Sequence, residues 1–199
     1  MGYAKSAETR HRLLRNTARL LRTQGFAATG VTDILSASGV PRGSLYHHFP
    51  NGKEQLAAGA VTQSGQTIVH ALREMIRTAG SVADGVRTFC DYYIKELETS
   101  GYARGCPLAT VALETSATTN PMQQHTATAF DAIVSVVADQ LSHENVEGPA
   151  EFATFIVAAI EGALVLAKAT RSTDAISLVR DRLCREIISA HLPKARTSS

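Results

Sequence analysis

Apolar positions along the chain recur at helical spacing and almost never alternate. Between residues 7 and 24, Leu13, Leu14, Thr17, Ala18, Leu20 and Leu21 fall on one arc at 3.6 residues per turn, while Arg12, Arg15, Arg19 and Arg22 share another. Gly25 ends this predicted helix. Thr32 is placed to cap a second, Asp33 to Ser38, with the Asp33 carboxylate in the first turn where the helix dipole favours it. Gly39 stops that helix after barely two turns. Pro41 opens a third, reaching about Phe49, and Pro50-Asn51-Gly52 is a turn. Longer helices are predicted near 53–78, 82–99, 106–117, 121–143, 149–170 and 174–191, with start signals at Asn120-Pro121, Gly148-Pro149 and Ser172-Thr173-Asp174 and a stop at Pro193. β-branched residues are scattered, so the expected fold class is all-α.

Two short helices around a glycine-containing turn make a helix-turn-helix, and helices of two turns persist only when docked on neighbours. Read by angle, Leu45 and Phe49 anchor the third helix inward. Gly43, Ser44, His47 and His48 point away, with Arg42 and Tyr46 at the margin. Gly43 costs about 1 kcal/mol of helix propensity relative to alanine, and lets the backbone come close to another surface.

Between Phe152 and Ala167 the only charged residue is Glu161. A helix apolar nearly all round is covered on all sides, which in a body this small suggests a second subunit. Phe152, Ile156, Ala159, Gly162 and Ala163 are candidates for that interface. Ile176, Val179, Leu183 and Ile187 on the last helix, at spacings of 3, 4 and 4, are the others.

Charge is distributed unevenly. Residues 1–55 hold eight Lys and Arg against three Asp and Glu, +5; residues 56–199 hold twelve against fifteen, −3. A basic front on an acidic body reads as an anion-binding head, nucleic acid being the commonest large polyanion. No apolar stretch is expected to span a bilayer and no signal peptide is expected, so no membrane partner is inferred. Three widely spaced cysteines, Cys90, Cys106 and Cys184, fit reduced thiols and a cytoplasmic location.

Catalytic and metal chemistry find little support. Adjacent His47 and His48 point about 100° apart on a helix and cannot chelate one ion together. Gly52-Lys53 is followed by Glu54, so it is not a phosphate-binding loop, and no nucleophile elbow surrounds Ser44. Cys106 before Pro107 is either a helix-start thiol or a small core residue. No cofactor, no metal and no enzymatic activity are expected. The alternative reading is a small helical enzyme or anion-binding protein with a basic N-terminal face.

The segment Val31 to Glu54, with its "PRGSLYHHFPNGKE", resembles the DNA-binding head of the TetR family of bacterial transcriptional regulators, and within it the LmrA/YxaF-type branch. The stretch GCPLATVALE, residues 105–114, is similar to the same branch. The resemblance implies a head over residues 1–52 and a ligand-binding and dimerising body over 53–199. Leu35 departs from the small residue usual four before the turn glycine. The resemblance also implies that the third helix enters the major groove, with Arg42, Gly43, Ser44, Tyr46 and His47 reaching bases or phosphates and Thr32, His48 and Lys53 contacting the backbone. The chemistry agrees: arginine pairs bidentately with guanine, and hydroxyls, histidines and lysine suit phosphates. Further implied are a homodimer through the last two helices, a palindromic double-stranded operator, repression, and release by a small-molecule effector. Apolar pocket candidates are Phe89, Tyr92, Tyr93, Cys106, Leu113, Met122, Phe130 and Phe155.

Overall fold

The computed structural model describes residues 2–115 and 121–190, the side chains of 2–5 and 121 excepted. Its helices are α1 (Gly2–Gln24), α2 (Val31–Ser38), α3 (Arg42–His48), α4 (Gly52–Ala79), α5 (Val82–Thr99), α6 (Pro107–Thr115), α7 (Pro121–His143), α8 (Pro149–Thr170) and α9 (Asp174–Ala190). The chain is all-α: no strand occurs among the described residues. The expected ends of the sixth and last helices, and Pro193, lie outside the described residues.

Capping differs from expectation at α2. The helix starts at Val31, so Thr32 lies inside its first turn and Gly30 is the N-cap. The Asp33 carboxylate reaches back to accept from the Gly30 N–H at 3.0 Å, the reciprocal half of a capping box. Gly39 ends α2 in the left-handed region, φ 61°, where a side chain would be strained. Pro41 is the N-cap of α3, in extended backbone conformation.

Packing groups the chain into two compact units, residues 1–67 with 103–131, and 68–102 with 132–199. In the first, α1 packs on α2, α3 and α6. Its core holds Leu13, Leu21, Ile34, Leu45, Phe49 and Leu56, all 2% exposed or less. Burying such side chains, each stabilising by about 1.5–3 kcal/mol, is what holds two-turn helices in place. In the second unit, α9 packs on α5 and α8, and Arg180 of α9 binds Asp91 of α5 at 2.6 Å.

Two sequence-based expectations are corrected here. First, α8 is long and apolar enough to cross a membrane by length and composition alone, with a mean hydropathy of 1.8 in its most apolar window. It nevertheless packs on α9 and α5 and carries Glu161. Second, within one chain α8 keeps an exposed face, and several residues expected at the subunit interface do not lie on it. Ile156, Ala163, Ile176, Leu183 and Ile187, expected at a subunit interface, are buried in the chain's own core. The stripe on α9 points at α5 and α8, because those helices are its nearest apolar partners. Phe152, Ala159 and Val179 are half-buried and Gly162 is exposed. The apolar side chains left outside are Phe155, Val165 and Leu166 on α8, and Leu178 and Ile188 on α9, each about half exposed or more.

Candidate nucleic-acid interface

The outward face of α3 is built by what anchors its inward face. Leu45 and Phe49 are fully buried, and the Arg10 guanidinium lies 5.3 Å from the centre of the Phe49 ring. With those two fixed, the helical period turns Arg42, Gly43, Tyr46 and His47 to solvent, with Ser44 and His48 half-buried. Nothing lies within 4 Å of where a Cβ on Gly43 would stand. The outer surface at Gly43 is therefore open to close approach by a partner.

The Tyr46 ring, 44% exposed, rests beside Gly52 at the start of α4. The His47 and His48 rings meet edge to face, centroids 4.9 Å apart, and do not converge on a common point. Burial, then His47, then Arg10 hold the His48 imidazole below its ordinary pKa. Thr32 is exposed on α2. Lys53, half-buried, lays its ammonium 4.2 Å from the centre of the Phe26 ring. The structure thus places Arg42, Gly43, Ser44, Tyr46, His47 and His48 on one short helix. Thr32 stands on α2 and Lys53 heads α4.

The α1 arginine stripe is not uniformly solvated. Arg15 and Arg19 are exposed, but Arg12 is half-buried. Arg22 donates from Nε to the Gly105 carbonyl at 2.7 Å. Residue spacing could not reveal that last bond, which spans 83 positions.

In the second unit a small cavity is lined by Ile68, Leu72, Val86, Phe89, Tyr93, Ile133, Val137, Ile156, Val157, Ile160 and Glu161. It offers about 20 Å³ for the centre of a water molecule, and one water needs on the order of 10–15 Å³ by that measure. Of the expected pocket residues, Phe89 and Tyr93 line it, their rings edge to face at 5.1 Å. Tyr92 and Phe155 are exposed and do not, and Leu113 is 71% exposed. Cys106, Leu113, Met122 and Phe130 belong to the first unit. Spacing along helices identified apolar positions there without saying which would meet. Sequence reasoning singled out Glu161 for its charge but did not place it in this lining.

All three cysteines are buried thiols outside any disulfide. Burial pushes the Cys90 thiol up to about 12, and burial also raises Cys184, which donates to the Ala83 carbonyl at 3.2 Å. Thiols so held are poor nucleophiles.

Comparison with known proteins agrees with this geometry. Residues 13–60 match the family model "Bacterial regulatory proteins, tetR family", and residues 82–182 match "Transcriptional regulator LmrA/YxaF-like, C-terminal domain". The LmrA regulator of Bacillus subtilis is 30% identical over 168 residues, 83% of this chain and 89% of that protein. A regulator of Mycobacterium tuberculosis is 30% identical over 192 residues, 93% of this chain and 96% of that protein. The repressor DhaR of Mycobacterium sp. (strain GP1) is 23% identical over 202 residues, 96% of each. Among solved structures, Escherichia coli NemR in its reduced form superposes with a TM-score of 0.77 at 21% identity, covering 88% of this chain and 95% of that one. The outward-facing α3, the two family models and the relatives of near-full length converge: the chain belongs to the TetR family of bacterial transcriptional regulators, with a helix-turn-helix that binds DNA and an LmrA/YxaF-like C-terminal domain, and it is not an enzyme.

Proposed function

We propose that this regulator is a cytoplasmic, homodimeric repressor that binds a palindromic operator and is released from it by a small-molecule effector. The observation that carries the reading is α3 itself. Its apolar side chains are sealed inward while an arginine, a glycine with open space above it, a tyrosine and a histidine face out. In this reading residues 1–52 are the DNA-binding domain and 53–199 the regulatory one. Arg42 pairs with guanine in the major groove, Gly43 lets the helix sit close, and Ser44, Tyr46, His47, His48, Thr32 and Lys53 hold phosphates.

Dimerisation uses the faces of α8 and α9 that the protomer leaves exposed. Phe155, Gly162, Val165 and Leu166 share one side of α8, and Leu178 and Ile188 are exposed on α9. Large apolar side chains left exposed along two packed helices fit a protein contact. It also accounts for the apolar character of α8 without a bilayer. Two α3 helices about 34 Å apart then read successive major grooves.

The effector site is the cavity walled by Phe89, Tyr93 and Glu161. It is too small for a drug-sized molecule in this conformation, so an effector selects a state in which the helices around it are spread. The helix α4 carries both Lys53 and the cavity residues Ile68 and Leu72. Spreading the cavity therefore acts on the same helix whose first turn meets DNA. Relatives named as repressors, DhaR among them, support repression over activation.

The test is selection of bound duplexes from a random pool, then titration at two salt concentrations. Enrichment of a palindrome with half-sites one helical turn apart supports the reading. Salt-sensitive binding without sequence preference refutes it. Tyr46→Ala should abolish enrichment while the dimer persists. An unchanged affinity in that variant removes α3 as the recognition helix.

A further inference from the structure

The stretch Gly105 to Glu114 stands out in the sequence and has no place in the reading above. The structure shows what its two ends hold. At one end the Gly105 carbonyl accepts from Arg22 of α1 at 2.7 Å. At the other, one oxygen of Glu114 accepts from the backbone N–H groups of both Phe26 and Ala27, at 2.7 and 2.8 Å. Two successive N–H groups converging on one carboxylate oxygen form an anion-binding nest, here on the exposed surface, where solvent screens its charge.

The loop is shaped to receive that carboxylate. Gly25 has φ 79°, a conformation that favours glycine, and a Cβ there would push the Glu114 carboxylate from its place. The same Phe26 whose N–H is held by Glu114 turns its ring to the Lys53 ammonium, 4.2 Å away. Two parallel hydrogen bonds thus join α6 to the loop between α1 and α2, and one cation–π contact joins that loop to the first turn of α4.

We propose that Glu114 is a positioning residue for DNA binding: by fixing the loop at Phe26 it holds the Lys53 charge at the head of α4, beside α3. The inference rests on the reading of Lys53 as a phosphate contact. It gives a carboxylate on α6, 88 positions from Phe26, a means of acting on a cationic surface through the loop. Moving α6 withdraws the loop, frees the Phe26 ring and lets the lysine disorder, so α6 has a route to operator affinity besides α4.

The test is a set of double-mutant cycles on the selected palindromic duplex, read as affinity and as its salt dependence. Glu114→Ala is expected to weaken binding about tenfold, the effect of losing an exposed cation–π contact in each protomer. It should also flatten the salt slope toward that of Lys53→Met, by no more than about 0.9 per lysine. In combination with Lys53→Met it should add nothing. Glu114→Gln, which keeps an acceptor oxygen, should restore most of the loss. Phe26→Leu keeps the loop apolar and removes the ring. It should reproduce the flattened slope even where Glu114→Ala folds poorly. A Glu114→Ala loss fully additive with Lys53→Met, at unchanged slope, overturns the proposal and makes the carboxylate a clip for the loop alone. A Lys53→Met protein that binds like the parent overturns it through the lysine, while leaving α3 as the recognition helix untouched.

Discussion

Replacing Tyr46 by phenylalanine isolates one atom of the recognition surface. The ring stays, so its rest beside Gly52 and the burial of Leu45 and Phe49 are undisturbed. Among the described residues the phenol oxygen makes no hydrogen bond, so the free protein loses nothing and its melting temperature should hold within about 1 °C, well inside the effect of a 1 kcal/mol change. In the proposed complex the hydroxyl donates to an operator phosphate. A hydrogen bond to a charged acceptor contributes on the order of 1.5 kcal/mol at the low end of its range. With two copies in the proposed dimer, the loss is about 3 kcal/mol, or roughly 150-fold at 1.36 kcal/mol per factor of ten. The hydroxyl is uncharged, so the salt slope should not change. Fluorescence anisotropy with the selected duplex at two salt concentrations, beside a thermal melt, measures all three quantities. An affinity loss below about threefold at unchanged melting temperature would falsify the hydroxyl's role, since every energetic contribution other than the phosphate bond is held constant.

Gly85→Ala should be among the more damaging single-methyl changes, because the new Cβ would stand 2.8 Å from the Ile76 Cα, where α4 and α5 meet. Overpacking of about 2 kcal/mol lowers the melting temperature of a chain this size by about 4–8 °C, and a melt within 1 °C of the parent would contradict it. Val86→Ile adds one methylene to the cavity wall at a residue 1% exposed; effector release should fail while operator affinity stays within about twofold, as expected if the added group only blocks ligand entry. Lowering pH should act in opposite senses on the free and bound protein through His48. Its folded pKa lies below the ordinary value of 6.5, so stability present above that value is lost as pH falls toward the folded one, whereas a nearby phosphate favours the proton and operator affinity should rise between pH 7.5 and 6. Melts and titrations across that range, with His48→Gln as control, read both signs.

Much of the fold was legible because its determinants are local. The α2–turn–α3 unit announces itself through Gly39, Pro41 and the inward pair Leu45 and Phe49, all within eleven positions. Most of the long helices follow from caps and breakers beside them. The α2 start was misjudged by two residues because Gly30 and Thr32 are both acceptable caps, and only the Asp33 bond to the Gly30 N–H separates them. Five of the nine interface candidates, Ile156, Ala163, Ile176, Leu183 and Ile187, lie in the chain's own core for a different reason. A stripe at 3.6 spacing says that a face is covered, not by whom. For Ile176, Leu183 and Ile187 the cover is α5 and α8 of the same chain.

The sequence by itself determined the helical class, the order of the elements, the polar crowd on α3 and the basic head. Each of these is a matter of period, cap or charge within one or two turns. Only the tertiary structure decided which apolar faces remain for a partner, and which of eight pocket candidates share a cavity. It alone brought the carboxylate of Glu114 to the loop that holds Lys53. Those are contacts between residues tens of positions apart. The free energy of each comes from close approach in space, which no local pattern in the chain encodes.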